Sequence, residues 1–281
     1  ISAVAVTLRN EEVISELAEP YHLTNDEINF FKKNGFIKLK KVFSPGAVLK
    51  LRAELINLLS KEFKVDPDKG AYDRFLSLEM VWPDNALIRA YVLSPRLGKI
   101  SADLLEVTAV RLYHDNVLAK QAGCGRTPWH FDDHHFPLDT NDVVTAWAPA
   151  QPIPIEMGPL TFAYPLDVHK LVNTVTFEKT GTGYDRGVSD VFSKNNVSVN
   201  KTPFEMGEVS FHHNLNFHSA PRNRTNLSRV ALANTYYRDG ARVVNAPTMV
   251  SGDWQKFMPD VEPGDVAASP LNPICWPVKN K

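Results

Sequence analysis

The chain has 281 residues, 43% hydrophobic and 22% charged, enough apolar material for one large β-rich domain. Its 31 Lys plus Arg nearly balance 32 Asp plus Glu, so bulk electrostatics predict neither nucleic-acid nor membrane-surface binding. The two cysteines, Cys124 and Cys275, exclude a Cys-rich zinc site and a disulfide scaffold, and they read as free thiols. Residues 1–10 lack a leader pattern, and no stretch approaches the roughly 18 apolar residues of a membrane span. A cytoplasmic monomer or homodimer is expected.

Thr24-Asn25-Asp26-Glu27 is a capping box, so a short helix should begin there and stop at Gly35. Residues 36–42 alternate apolar and basic side chains and predict a strand. Ser44-Pro45 opens a second, amphipathic helix with Val48, Leu51, Leu55, Leu58, Leu59 and Phe63 at helical spacing. Residues 64–72 are polar, and residues 85–105 read as helical. From Val107 onward the pattern changes to short β-branched and aromatic runs separated by turn residues. Strands are predicted over 109–113, 117–120, 143–148, 160–163, 209–211 and 230–237, which suits a sandwich, barrel or jelly roll. Residues 172–203 resist assignment and are read as an insertion that could close over a site. One domain is expected, with residues 1–105 as mainly helical support, 106–240 as the core and 241–281 as a C-terminal extension. The triplets at Asn196, Asn223 and Asn226 match the glycosylation pattern and are read as unmodified.

His130-Phe131-Asp132 followed far downstream by His218 is the ligand set of a mononuclear non-haem iron(II) site. Two imidazoles and one carboxylate on one face of the metal leave positions for a co-substrate and dioxygen. His130 and Asp132 are two apart, so a regular strand would point both to one face. Arg229 supplies an always-charged fork suited to the far carboxylate of 2-oxoglutarate. His134, His135, His212 and His213, with Phe131, Asp133 and Tyr236, could line a substrate pocket. Of these, His134, Phe131, Asp133 and Tyr236 are carried forward as candidates, and His135, His212 and His213 read first as surface or strand-packing residues.

Four stretches resemble the phytanoyl-CoA dioxygenase family of iron(II)/2-oxoglutarate oxygenases. They are Thr127-Pro128-Trp129-His130-Phe131-Asp132, Val144-Thr145-Ala146-Trp147-Ala148-Pro149, Glu156-Met157-Gly158-Pro159-Leu160, and Gly207-Glu208 through His218, Asn223 and Arg229. The resemblance implies a double-stranded β-helix, cupin-like core with flanking helices, and iron held by His130, Asp132 and His218. It also implies that Arg229 holds 2-oxoglutarate, that Trp147 packs against it, and that Lys120 and Thr127 occupy co-substrate positions. The family often has Gly-Ser after the distal histidine; here the residues are Ser219-Ala220, so Ser219 or Thr145 would have to supply the missing hydroxyl. Halogenating relatives lack the carboxylate ligand, and Asp132 argues against that chemistry.

The expected activity is hydroxylation of an unactivated C–H bond of a small molecule in natural-product metabolism. Desaturation, cyclisation and epimerisation use the same cofactors and stay open. The absence of a basic cluster disfavours an acyl-CoA. A cupin-like metal enzyme or an inactive binding module would have lost a ligand or the arginine, and all four residues are present.

Overall fold

The computed structural model describes residues 8–69 and 73–279, so most of segment 1–10 and the end of the polar segment 64–72 lie outside the described residues. Helix α1 (Asn10–Ala18) precedes α2 (Asn25–Asn34), whose capping box forms as the sequence predicts. Thr24 accepts from the Glu27 amide and Gly35 ends the helix at φ 76°; an N-cap of this kind stabilises by about 1 kcal/mol. Strand β1 (Phe36–Leu39) leads to α3 (Pro45–Phe63), capped by Ser44 with Pro45 in its first turn.

Strand β2 (Phe75–Glu79) falls in a stretch left without assignment above. The predicted helix over 85–105 is two helices, α4 (Ala86–Val92) and α5 (Pro95–Leu105). Pro95 cannot continue α4, and the Ser94 hydroxyl caps α5 by accepting from the Leu97 amide.

Two of the predicted strands are one, β3 (Val110–Lys120). Asp115-Asn116 looks like a turn, yet it lies mid-strand because the Asp115 carboxylate accepts from the Val81 and Trp82 amides. Then come β4 (Thr127–His130), β5 (Val143–Pro149), β6 (Thr161–Tyr164), α6 (Gly183–Lys194), β7 (Ser198–Asn200), β8 (Val209–His213), β9 (His218–Ala220), β10 (Arg229–Arg238) and β11 (Ile274–Trp276).

The strands form two antiparallel sheets, the layout of a jelly-roll core. The larger runs β1-β8-β5-β10-β3-β11, with β2 also paired to β3; the smaller runs β4-β9-β6-β7. Period-two alternation sorts the large sheet into two faces. Val230, Leu232 and Tyr236 of β10 join the core that buries α1, α3, α4 and α5, while Ala231 and Ala233 face the other way, with Trp147 and Phe162.

Residues 172–203 do not cap the space between the sheets. Tyr184 and Val188 of α6 pack with Phe217 and Trp129, and Tyr184 Oη donates to the Trp129 carbonyl at 2.7 Å. The C-terminal extension instead builds a second core. Trp254, Phe257, Met258 and Ala267 pack with Tyr113 and Phe136, and Tyr237 Oη donates to the Ala267 carbonyl. Cys124 and Cys275 are both free and buried. No described helix is long and apolar enough to cross a membrane. Asn223 is fully buried and its amide donates to the Lys120, Gln121 and Leu227 carbonyls, so it orders the loop before β10 rather than presenting a surface site.

Candidate active site

His130 and His218 are register partners on the antiparallel pair β4–β9, which sets their imidazoles side by side with centroids 4.3 Å apart. The third residue arrives differently from the expected strand alternation. β4 ends at His130, and Asp132 sits in a helical turn (φ −94°, ψ −8°). The Asn214 carbonyl accepts from the Asp132 and Asp133 amides at 2.9 and 3.0 Å, and that loop contact ends the strand and swings the carboxylate back. Ligand atoms of His130, Asp132 and His218 then lie within 4.8 Å of one another.

The donor set suits a divalent metal. His130 Nδ1–H donates to the Pro128 carbonyl at 2.7 Å, and His218 Nδ1–H donates to the Asn216 carbonyl at 2.9 Å. Each bond fixes the tautomer that leaves Nε2 with a free lone pair. Those Nε2 atoms stand 3.4 and 3.7 Å from the Asp132 carboxylate. Burial works against charge on Asp132, but His218, His130 and His212 more than offset it and hold the carboxyl well below its usual range. Burial likewise holds His218 well below the ordinary histidine range, hence neutral and ready to coordinate. His212 Nε2–H donates to Asp132 Oδ2 at 3.1 Å, a contact that orients the carboxylate. It was grouped above with packing residues; its register opposite Thr145 on the inner face of β5 is the signal that could have placed it.

The three groups open into a cavity of about 450 Å³ between the sheets. At one end lies Arg229, 3% exposed, with Nη1–H donating to the Gly158 carbonyl at 2.6 Å and its guanidinium 5.2 Å from the Trp147 ring centre. Gly158 has φ 78°, and a Cβ there would meet the Pro221 carbonyl at 2.4 Å, so only glycine fits this close approach. Arg229 makes no ion pair among the described residues, and its Nε is buried without a partner. Burial pushes its pKa down to about 10. An unpaired buried cation costs several kcal/mol, which an incoming carboxylate would offset.

Thr127 and Trp147 also line this cavity. Lys120 does not: its ammonium is buried and donates to the Gly125, Ala220 and Pro221 carbonyls, tying two loops together. Burial, and then Arg229 across the β3–β10 pair, pushes Lys120 down to about 7. Ser219 lies between His218 and Ala220, which both face the cavity, so alternation turns it to the opposite side of β9. Thr145 does line the cavity, but its hydroxyl pairs with Thr235 at 2.8 Å, six residues along β10 from Arg229 and far from it.

The four substrate-pocket candidates need correction. Tyr236 faces the helices, with its hydroxyl donating to the Val92 carbonyl at 2.6 Å. Phe131 packs beside His134 and His169 on the outer side, His134 is exposed, and Asp133 accepts from the Asn214 amide. None of the four lines the cavity; His135, one residue beyond His134, does. The wall at the end away from Arg229 comes from β2, β3, the turn after Asp132 and the C-terminal extension, through Glu79, Tyr113, His114, Phe136, Lys256 and Phe257. No cavity-lining residue among those described comes from 172–203.

A jelly-roll core with a His-Asp-His centre defines a mononuclear iron oxygenase. Residues 31–231 match the profile of the phytanoyl-CoA dioxygenase (PhyH) family, and the chain belongs to that family of iron(II)/2-oxoglutarate-dependent dioxygenases. It is 25% identical over 245 residues to the peroxisomal phytanoyl-CoA dioxygenase of Bos taurus, covering 77% of this chain and 71% of that protein. The Mus musculus enzyme is 25% identical over 232 residues, covering 75% and 67%. Among solved structures, the α-ketoglutarate-dependent carbocyclase SnoK from nogalamycin biosynthesis superposes with a TM-score of 0.72 at 22% identity, over 91% of this chain and 99% of that one. The epimerase SnoN in complex with Fe3+, α-ketoglutarate and nogalamycin RO gives 0.70 at 22% identity, over 89% and 97%. EctD from S. alaskensis with 2-oxoglutarate and 5-hydroxyectoine gives 0.64 at 16% identity, over 91% and 93%.

Proposed function

We propose that the protein hydroxylates an unactivated C–H bond of a small molecule that carries no CoA, within specialised metabolism. One observation carries this reading. The imidazoles of His130 and His218 and the carboxylate of Asp132 converge on a cavity whose end holds a buried guanidinium without an ion-pair partner among the described residues. Bound iron(II), with 2-oxoglutarate and dioxygen as co-substrates, would supply the oxidising chemistry, one oxygen atom going to succinate and the other to the substrate.

The chain's own residues do the rest. His130, Asp132 and His218 hold the metal, with His212 orienting Asp132. Arg229 receives the distal carboxylate of 2-oxoglutarate and Trp147 packs along it. Ala220 stands where the family often has serine, and its register partner across β4–β9 is Thr127, which lines the cavity. Thr127 then supplies the hydroxyl, moved across the ladder from β9 to β4. Lys120 acts one step back, anchoring the loops that carry Ala220 and Gly125.

The curated relatives act on a CoA thioester by name. Here the Lys and Arg residues among those lining the cavity are Arg229 and Lys256, and Lys256 is paired with Glu79 at 2.9 Å. With Arg229 taken by the co-substrate and Lys256 by Glu79, a nucleotide phosphate finds no free cation among them. The fold also serves a carbocyclase and an epimerase, so the fate of the substrate is set by the cavity walls and read by product analysis.

Anaerobic addition of 2-oxoglutarate to the iron(II)-loaded protein should give the weak visible charge-transfer band of a chelated keto acid. His218→Ala and Asp132→Ala should abolish it while leaving the fold intact. Iron demonstrably bound with no band would overturn the reading.

A further inference from the structure

The cavity has a second end, opposite Arg229, whose composition selects for a chemical class. Tyr113, His114, Phe136 and Phe257 all line it. Their rings form one cluster, with centroids 4.9 Å apart for Tyr113–Phe136, 5.4 Å for Tyr113–Phe257 and 4.8 Å for His114–Phe257. Such a wall offers ring edges and faces to a flat or polycyclic guest, with specific geometric preference beyond area alone.

The charge at this end is arranged against anions. Glu79 and Lys256 form an ion pair at 2.9 Å across the gap between β2 and the C-terminal extension. Asp253, also in the wall, is acidic and exposed. No unpaired ammonium or guanidinium is present among the lining residues at this end, so a carboxylate or phosphate would meet acids and find no fork.

Neutral polar groups complete the wall. Asn116 and Thr235 lie on its floor beside His114, whose Nδ1 is buried without a hydrogen-bond partner among the described residues. A hydroxyl or carbonyl on a guest would meet the neutral polar groups of Asn116 and Thr235 on this floor. Burial holds the His114 imidazole neutral, with its pKa lowered to about 4, so it does not act as a hidden cation.

We infer that this end is a pocket for a compact, uncharged, ring-bearing substrate with a hydroxyl or carbonyl substituent, and that Phe257 and the Lys256–Glu79 pair enforce that choice. The inference rests on the proposed oxygenase reading, since it takes the cavity as catalytic, and it goes beyond it by naming the substrate class and the residues that select it. The size agrees: about 450 Å³ lies low in the roughly 300–1,000 Å³ span of small-molecule sites, and the co-substrate must share it.

The test is equilibrium binding to the full chain loaded with iron(II) and 2-oxoglutarate under anaerobic conditions, read as a shift of the charge-transfer band. The probes are 2-naphthol, 2-naphthoate and decanoyl-CoA. 2-Naphthol should bind at least tenfold tighter than 2-naphthoate, and decanoyl-CoA should not displace it. Phe257→Ala should weaken 2-naphthol about tenfold while the band itself persists. Phe257 is a core residue, so Glu79→Gln provides a surface-borne check. Releasing Lys256 from its partner should strengthen 2-naphthoate severalfold and leave 2-naphthol within twofold. Tighter binding of 2-naphthoate or decanoyl-CoA than of 2-naphthol in the unaltered protein would overturn the inference. So would an unchanged 2-naphthoate affinity in Glu79→Gln. Absence of the band before any probe is added would instead sink the oxygenase reading on which the inference stands.

Discussion

The two ends of the cavity are built on different principles. The Arg229 end is made by regular strands in fixed register, with Arg229 opposite Lys120 on β10–β3 and Thr127 opposite Ala220 on β4–β9. The far end is closed by irregular chain, where residues 249–257 return against β2 and β3. One end concentrates buried positive charge; the other has aromatic rings, neutral polar groups and a self-cancelling ion pair. The contrast teaches that a scaffold can hold its co-substrate chemistry in the sheet and vary its substrate choice in segments that the sheet does not constrain.

Each end also holds a buried base, and they should titrate in separate windows. Lys120 is pushed down to about 7 and His114 to about 4, in both cases chiefly by burial. For a base with a folded pKa below its unfolded one, the unfolded chain holds the extra proton within the window, so stability falls as pH falls. The Lys120 contribution should be lost between about pH 10.4 and 7, and the His114 contribution between about pH 6.5 and 4. Upper bounds are about 5 kcal/mol for the first and about 3–4 kcal/mol for the second. Denaturant melts across pH should show Lys120→Met flattening only the alkaline limb and His114→Phe only the acid limb. Identical pH slopes in variant and parent would remove the distinction between the ends.

Arg229→Met cuts deeper into the contrast. Loss of one partner from a buried charge pair costs roughly 2–5 kcal/mol, so 2-oxoglutarate affinity should fall about a hundredfold or more. The same change should leave the ligand-free protein as stable or more so, because it removes an unpaired buried cation. Weaker co-substrate binding together with a raised melting temperature is the expected signature. A large loss of stability would mean that Arg229 holds the fold rather than the co-substrate.

Much of the first end was legible in the sequence. His130, Asp132, His218 and Arg229 carry it because metal and carboxylate chemistry restrict residue type severely. Even there the local reasoning was partly wrong, since Asp132 is delivered by a turn pinned to the Asn214 carbonyl and not by strand alternation. The Tyr236 error was avoidable. Once Arg229 is taken as inward-facing, period two sends Ala231, Ala233 and Thr235 inward and Tyr236 toward the helices. Joining two predicted strands into β3 would have needed the knowledge that Asp115 serves a distant backbone. The second end was not legible at all. Residues 249–257 show neither helical nor strand periodicity, and the tertiary path alone brings Phe257 to His114.

The smallest effects separate the hydroxyls. Thr127 faces the cavity opposite Ala220, whereas Ser219 is turned to the other side of β9. A hydrogen bond to a charged carboxylate contributes about 1.5–3 kcal/mol, so Thr127→Val should weaken 2-oxoglutarate about tenfold in the band titration. Ser219→Ala should change it by less than twofold, although serine directly follows the distal ligand in sequence. Ala220→Ser in the Thr127→Val background should then restore binding, because it puts a hydroxyl back on the same ladder rung from the opposite strand. If Ser219→Ala proved the damaging change and Thr127→Val the silent one, β9 would have to present its other face to the co-substrate. The register His130↔His218 that pairs the two histidine ligands would then fail with it.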